Sequence, residues 1–210
     1  MLTILVVIAL GYLLGSIPSG VWLGKALKGI DVREHGSKST GATNVFRVLG
    51  AKIAIVVLVL DIAKGFLAAY AASGINLGDT LLTPSQLGMI AGVSAVIGHL
   101  LPLFAGFRGG KGVAAGAGIL IFLAPLEVAF AAVIFGAALA ITRYVSLSSI
   151  LASLFFSLTI ILERFLFQFP VGNEMVFLAI IIAFLIPYTH RANIRRLFDG
   201  LENKIGAKSK

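Results

Sequence analysis

The chain has 210 residues, of which 59% are hydrophobic and 12% are charged, and its formal net charge is +8. Soluble domains average about a quarter charged residues, so this composition excludes an ordinary soluble protein. It predicts an all-α, polytopic membrane protein in which residues 1–210 form a single domain. The absence of Cys excludes disulfides and thiolate metal ligands. An excess of Lys and Arg in such a protein indicates cytoplasmic loops and anionic lipid, with no nucleic acid as partner.

Seven apolar blocks follow one another along the chain, and a membrane-spanning helix needs about 20 apolar residues. The first block lacks the basic start of a signal peptide, so we expect a retained helix in which Pro18 introduces a kink. The blocks lie at 3–23, 53–73, 86–105, 113–123, 128–141, 146–162 and 175–188.

The basic residues between these blocks predict the topology. Lys and Arg are concentrated in connections 24–52 and 106–112 and in the tail after 188, which includes Lys208 and Lys210, whereas connection 74–85 has neither. The positive-inside rule places the basic segments in the cytoplasm. That arrangement requires 113–141 to cross twice, which gives seven spans with the amino terminus outside and the carboxyl terminus cytoplasmic. Six spans with a re-entrant or tilted segment remain the alternative.

The stretch HGSKSTGATNVFR at 35–47 has only three apolar residues in thirteen. A segment with many donors and few carboxylates favours an anion, whereas a metal would require several acidic or His ligands. The alternative is a solvated loop with a helix N-cap at Thr43 or Asn44. The donors are Ser37, Ser39, Thr40, Thr43, Asn44 and Arg47.

Two features lie within the apolar blocks. Asp61 and Lys64 are three residues apart, and intramembrane ionisable residues indicate either a functional site or a structural ion pair. The segments VAAGAG at 113–118 and GAALA at 136–140 predict close packing between helices.

The stretch GFRGGKG at 106–112 favours phosphate binding. Successive glycines let backbone N–H groups turn toward one point. Lys111 is expected to open the next helix, whose N-terminus favours anions, and Arg108 offers a fork of donors. It is not a Walker A loop, because Ala105 and Gly112 occupy the required Gly and Ser/Thr positions. The alternative is a tight glycine turn between two helices.

Two further polar stretches, RYVSLSS at 143–149 and THRANIRR at 189–196, are expected on the same cytoplasmic face. His190 and Asn193 are one helical turn apart, and the alternative for His190 is an ordinary interface residue. The tail beyond them predicts an amphipathic helix lying on the membrane. Its apolar stripe comprises Ile194, Leu197, Phe198, Leu201 and Ile205.

Taken in order, these motifs resemble the PlsY family of bacterial acyl-phosphate:glycerol-3-phosphate acyltransferases. The resemblance rests on GSIPSG, D-x-R-x-x-GS-x-x-x-GATN-x-x-R, LDIAKG, GHLLPLFAGFRGGKG, YVSLSS and HRANIRRL. It implies transfer of a fatty acyl group from acyl phosphate to the sn-1 hydroxyl of glycerol 3-phosphate, giving lysophosphatidic acid and phosphate in phospholipid biosynthesis. It further implies a monomeric enzyme of the bacterial cytoplasmic (inner) membrane, in contact with membrane lipids and using no cofactor, with its active site at the cytoplasmic face.

The resemblance and the residue chemistry together predict the site. Departures from the family pattern are Lys38 and Ser39, where the family often has Gly-Asn, and Thr189, where it often has Arg. The predicted catalytic residues are Ser37, Arg47, Lys111, His190 and Asn193. The predicted substrate- and phosphate-binding residues are Gly36, Gly41, Thr43, Asn44, Arg108, Gly109, Gly110, Gly112, Ser146 and Arg191.

The general base is either His190 or the substrate's own phosphate, and the chain lacks a His-x4-Asp motif. Proton removal by the phosphate is the interpretation we favour. Two rival functions are an organic-anion transporter and a phosphoalcohol transferase with a nucleotide-linked donor. The first is disfavoured because the sequence shows no internal repeat, and the second because DGLENK at 199–204 lacks clustered aspartates for metal.

Overall fold

The computed structural model describes residues 1–206, which fold into ten α-helices without any β-strand. The tail residues Lys208 and Lys210, included in the topology prediction, lie outside the described residues. The helices are α1 (Leu2–Gly15), α2 (Ser19–Lys28), α3 (Ala42–Leu49), α4 (Ala51–Ser73), α5 (Pro84–Leu100), α6 (Val113–Leu123), α7 (Pro125–Thr142), α8 (Val145–Phe165), α9 (Asn173–Thr189) and α10 (Arg191–Phe198).

The helices form two compact units, which we describe separately. The first unit, Met1–Leu123, contains α1 to α6, and the second begins at Ala124 and contains α7 to α10. The assignment of the whole chain to one domain stays a prediction.

An all-α, multi-pass architecture is confirmed within the described residues. Five segments are long and apolar enough to span a membrane, and the bent pair of α9 and α10 makes a sixth. The remaining apolar helix, α6, has 11 residues and is only about 16 Å long, which is short of the ~30 Å hydrocarbon core. The chain breaks at Ala124, so 113–141 does form two helices. Seven crossings and their orientation stay predictions.

The first apolar block is interrupted within the membrane-spanning region. The kink expected at Pro18 is a three-residue interruption within the candidate span Leu2–Lys28, because α1 ends at Gly15 and α2 begins at Ser19. Pro has no N–H and clashes with the preceding turn. The break frees the carbonyl of Ile17 from the helical pattern, and the ammonium group of Lys64 binds it.

Small residues bring the helices of the first unit close together. A Cβ at Gly11 would lie 2.1 Å from the Ala91 carbonyl oxygen, and one at Gly118 would lie 2.0 Å from that of Ile62. Contacts this short require glycine, as in other packed membrane helices. The packing expected of VAAGAG is therefore confirmed at Gly118. It does not hold for the glycine of GAALA, because a Cβ at Gly136 would meet no atom within 4 Å.

The connection 24–52 contains helix α3, which begins earlier than the N-cap considered for this segment. Helix α3 begins at Ala42 after an extended Gly41, so neither Thr43 nor Asn44 is its N-cap. That alternative was wrong because the Asn44 side chain bonds to the preceding loop, and the start of α3 has no side-chain cap.

The amphipathic tail helix is shorter than predicted. Helix α10 ends at Phe198, and Gly200 follows in the left-handed conformation, with φ at +67°. The N–H of Ile205 then donates to the carbonyl of Arg143. Leu201 and Ile205 therefore do not continue the helical stripe, because the chain turns back toward the start of α8.

Candidate active site

In the first unit, a single amide organises the loop that precedes α3. The side chain of Asn44 is 1% exposed. Its Nδ2 donates to the carbonyls of Val32 (2.8 Å), Ser39 (2.9 Å) and His35 (3.2 Å), and its Oδ1 accepts the backbone N–H of Ser37 (2.8 Å). Asn44 thus folds residues 32–39 around itself, so its predicted contact with a phosphate stays a prediction.

The backbone of this loop presents Ser37 at the surface. Gly36 precedes it with φ at +58°, and a Cβ there would lie 2.4 Å from Asn44 Oδ1, so both conformation and space require glycine. Ser37 is exposed, and so is Arg47 in the last turn of α3. Thr43, the residue before Asn44 in α3, is half-buried. Gly41 lies directly before the first residue of α3.

Arg33 connects this loop to Ala105, directly before the stretch 106–112. Its guanidinium donates to both carboxylate oxygens of Asp31, from Nε (2.9 Å) and Nη2 (2.6 Å), while Nη1 donates to the carbonyl of Ala105 (2.7 Å). The hydrogen bonds from Arg33 hold the pKa of Asp31 well below its ordinary value, despite the opposing effect of burial. Arg33 was not among the predicted site residues, although the D-x-R pattern contains it.

The glycine loop, residues 106–112, lies directly on the C-terminal end of α5. The N–H of Gly110 donates to the carbonyl of His99 (3.1 Å). A Cβ at Gly109 would lie 2.1 Å from that same oxygen, and one at Gly110 would lie 2.1 Å from Nε2 of the His99 ring. The loop therefore has no room for side chains at these two positions.

The glycine loop has one cationic side chain on each side of its central glycines, Gly109 and Gly110. Arg108 is exposed and Lys111 is half-buried. Helix α6 begins at Val113, so Lys111 lies two residues before the helix and does not open it as predicted. The reason is Gly112, whose left-handed φ of +84° is incompatible with a helix starting earlier.

The intramembrane pair Asp61 and Lys64 is a buried ion pair. Lys64 Nζ lies 2.8 Å from Asp61 Oδ1 and donates to the carbonyl of Ile17 at 2.9 Å. The hydroxyl of Ser19 donates to the same carboxylate oxygen at 3.2 Å. Of the two interpretations, the geometry favours the structural one, because the pair compensates for the helix break at Pro18.

In the second unit, His190 lies at the bend between α9 and α10, whose axes differ by 57°. Its side chain is 3% exposed, and Nδ1 lies 2.9 Å from the carbonyl oxygen of Ile186. Because a carbonyl can only accept, Nδ1 carries the hydrogen, and in the neutral ring Nε2 has the lone pair. Arg191 follows at the surface and donates to the carbonyl of Tyr188.

Glu202 is the central group of a buried cluster in this unit. Its Oε1 accepts from Asn193 Nδ2 (2.7 Å) and Ser146 Oγ (3.0 Å), and its Oε2 accepts from Arg196 Nε (2.8 Å). Burial raises the pKa of Glu202, but these hydrogen bonds outweigh it and bring the pKa below the ordinary value. Glu202 was not predicted from the sequence, because it and Asp199 both lie in the basic tail and nothing there distinguishes the buried acid from the exposed one. Direct contact of Ser146 with substrate stays a prediction.

In the first unit, the structure thus connects the loop before α3 to Ala105, directly before the glycine loop, through Arg33. In the second unit, it connects Ser146 to Asn193 through Glu202. Across residues 1–206, no three His, Asp or Glu side chains cluster in a way that would hold a metal ion. The individual roles of the predicted site residues stay predictions.

Comparison with known proteins agrees with the resemblance drawn from the motifs. A family model described as glycerol-3-phosphate acyltransferase matches residues 5–200. The chain is 44% identical over 226 residues to the glycerol-3-phosphate acyltransferase of Chlorobaculum tepidum, covering 98% of this chain and 97% of the relative. It is 42% identical over 219 residues to that of Salinibacter ruber, covering 99% and 94%.

Two crystal structures of PlsY, described as an integral membrane glycerol 3-phosphate acyltransferase, share the fold. The glycerol 3-phosphate form has a TM-score of 0.84 and the lysophosphatidic acid form 0.81, each at 37% identity. Both alignments cover 97% of this chain, with 96% and 95% of the respective PlsY chains. The chain therefore belongs to the glycerol-3-phosphate acyltransferase family.

Proposed function

We propose that the protein transfers a fatty acyl group from acyl phosphate to the sn-1 hydroxyl of glycerol 3-phosphate, yielding lysophosphatidic acid and inorganic phosphate. The observation that carries this proposal is the family match over residues 5–200. It is supported by the PlsY structures, which were determined in glycerol 3-phosphate and lysophosphatidic acid forms. The choice of donor and of the sn-1 position rests on the motif resemblance.

The chemistry needs no enzyme nucleophile, because an acyl phosphate is a mixed anhydride and already activated. The sn-1 oxygen attacks the acyl carbon, and a tetrahedral oxyanion forms. The bond from the acyl carbon to the phosphate oxygen then breaks, and phosphate leaves with the electron pair. We assign stabilisation of these negative charges to Lys111, Arg47 and the N–H groups of the glycine loop, at about 1.5–3 kcal/mol for each charge-assisted bond.

The proton of the attacking hydroxyl needs an acceptor. We assign this role to a substrate phosphate, whose second pKa lies near neutrality, and we assign to His190 and Asn193 the positioning of the acceptor substrate. The geometry at His190 is compatible with either role, since its Nδ1 donates to the Ile186 carbonyl and Nε2 has the lone pair. Asn193 is oriented for this role by its bond to Glu202.

His190→Gln separates the two possibilities for the base. A general base contributes about 10²–10⁴-fold to a rate. We expect kcat of the variant to fall by less than about tenfold, because Gln keeps hydrogen-bonding atoms but cannot accept the proton. A loss of about 100-fold or more in steady-state turnover, with folding unchanged, would make His190 the base.

We further propose that the protein acts as a monomer in the bacterial cytoplasmic membrane, with seven spans, the amino terminus outside and both substrates bound at the cytoplasmic face. The distribution of Lys and Arg supports this orientation.

The direct test uses purified protein with a long-chain acyl phosphate and glycerol 3-phosphate, without added divalent metal. We expect equal amounts of 1-acyl glycerol 3-phosphate and phosphate, formed only when both substrates are present. Acyl-CoA and acyl carrier protein serve as alternative donors, and equal turnover with either would contradict the donor assignment. Uptake of glycerol 3-phosphate into liposomes without product would instead support the transporter.

A further inference from the structure

The first unit contains a buried polar cluster to which the proposed reaction assigns no role. It comprises the ion pair of Asp61 and Lys64, the hydroxyl of Ser19 and the imidazole of His99 on α5, which is 5% exposed. Nδ1 of His99 lies 3.8 Å from Asp61 Oδ1. Ionisable side chains inside a membrane are costly and indicate a function. Lys64 binds the Ile17 carbonyl at the helix break, and Asp61 balances the charge of Lys64. Neither contact explains why His99 is buried beside them.

The opposite side of the His99 ring faces the glycine loop. A Cβ at Gly110 would lie 2.1 Å from Nε2, 2.9 Å from Cε1 and 3.1 Å from Cδ2. The His99 carbonyl also accepts the N–H of Gly110 at 3.1 Å. The ring is therefore enclosed between a carboxylate at its Nδ1 edge and the loop backbone at its Nε2 edge, so its position determines how far Gly110 can approach α5.

We propose that His99, whose ring lies beside the Asp61–Lys64 ion pair, is a positioning residue that sets the conformation of the glycine loop and thereby its affinity for phosphate. This inference rests on the proposed role of residues 109–112 as a phosphate site. It assigns His99 no contact with substrate. Its effect reaches phosphate only through the backbone of Gly109 and Gly110, against which the ring and its carbonyl pack.

The contact between ring and glycine allows a size-exchange experiment on the full-length purified protein. The variants are His99→Ala, Gly110→Ala and the double variant, and the readout is the inhibition constant of inorganic phosphate for acyl transfer. We expect Gly110→Ala to weaken phosphate inhibition by about 30-fold and His99→Ala by about tenfold. The double variant should lie within about threefold of His99→Ala, because the new methyl group occupies the space left by the ring.

The inference would be contradicted if His99→Ala and Gly110→Ala change phosphate inhibition independently of each other. If the double variant shows the product of the single losses, about 300-fold, the ring does not position the loop. His99→Asn replaces His99→Ala in the cycle if the latter does not elute as folded protein, with the same expected coupling. Wild-type protein that is inactive with acyl phosphate and glycerol 3-phosphate would refute the proposed function itself, whereas active protein with uncoupled variants would refute only this inference.

A matched control distinguishes positioning from general stability. Leu87 is also buried on α5, at 1% exposed, but packs in an apolar cluster with Val7, Ala72 and Ala91. Leu87→Ala should lower the thermal unfolding midpoint and leave the phosphate inhibition constant within about twofold, because loss of packing there does not alter the loop. An equal change in phosphate inhibition in Leu87→Ala would show that His99 acts only through stability.

Discussion

The first loop and the glycine loop, both in the first unit, are held in different ways. Residues 32–39 are organised by the side chain of Asn44, through three donated hydrogen bonds and one accepted one. The glycine loop is held by the absence of side chains, since Gly109 and Gly110 contact the end of α5 directly. The first loop should therefore be sensitive to the loss of particular polar atoms, and the second to the addition of a single methyl group.

The largest effect is expected from Gly109→Ala. A Cβ there would lie 2.1 Å from the carbonyl oxygen of His99 and 2.5 Å from that of Leu100, so the backbone must move. Misplacement of binding groups by about 1 Å can cost about 100-fold, and we expect that loss in kcat/KM for glycerol 3-phosphate.

Gly106→Ala is the control in the same loop. Its Cβ would meet no atom within 4 Å, and only its φ of +61° opposes the change. At about 1 kcal/mol for a left-handed residue, activity should stay within about fivefold. Similar losses at the two positions would contradict the packing explanation.

A smaller loss is expected from Asn44→Asp, which keeps the shape of the side chain but replaces the donating amide with an acceptor. Oδ1 can still accept from Ser37, whereas the second oxygen would face the carbonyls of Val32, His35 and Ser39. Of these three contacts, the one to Val32 is buried and the other two are partly buried. Leaving a buried group unpaired costs about 1–3 kcal/mol, so we expect about 30-fold lower kcat/KM and a lower unfolding midpoint.

Ser39→Ala is the control for Asn44, because within residues 1–206 the hydroxyl of Ser39 accepts a single long hydrogen bond, from the N–H of Gly41 at 3.4 Å. Turnover of Ser39→Ala should stay within about threefold. If Asn44→Asp behaves like wild type in steady-state assays, the first loop is not organised by that amide.

Arg33→Lys tests the connection between the two loops. Lys keeps the positive charge but not the fork that binds Asp31 and the carbonyl of Ala105 together. We expect about fivefold lower kcat/KM from loss of roughly 1 kcal/mol of hydrogen bonding. Lys25→Met removes the exposed partner of Asp31 and should change kcat/KM by less than about twofold. An equal effect of both changes would mean that charge alone matters.

The smallest effect is expected from Glu202→Gln, which extends the comparison to the second unit. Because the pKa of Glu202 is lower in the folded state, its charged form adds stability at neutral pH, and that stability is lost as pH falls below the ordinary value of 4.5. We expect the variant to unfold about 5 °C lower at pH 7.

The difference between wild type and Glu202→Gln should shrink on acidification below pH 4.5, when followed by intrinsic fluorescence. Asp199→Asn, an exposed acid in the same tail, should not show this pH-dependent difference. A constant difference between wild type and Glu202→Gln at every pH would show that the carboxylate is not the stabilising form.

Sequence patterns predicted the features that depend on local chemistry. Hydropathy located the apolar helices, including α6 and α7 within 113–141. The glycine spacing identified the loop at 106–112. These signals lie within one turn or one helix of the residues they concern.

The remaining features depend on contacts between residues distant in the chain. Nothing near Glu202 indicates that it bonds to Ser146, 56 residues away. The approach of Gly110 to the ring of His99 depends on the route of the backbone after α5. Asn44 was expected as an N-cap or a substrate ligand, since its type suits both, and only the folded loop shows that its donors are already used.

The central claim is that the polar stretches 35–47, 106–112 and 189–196 serve one reaction at the cytoplasmic face. Because the chain has no native Cys, this claim can be tested directly. Single cysteines replace the exposed residues Lys38, Arg108 and Ala192, and a fourth at exposed Asn76 is the opposite-side control. Each variant is labelled in oriented membrane vesicles by a thiol reagent that cannot cross the bilayer. We predict that the first three react only from the cytoplasmic side and the fourth only from outside. Labelling of any of the first three from outside would contradict the account.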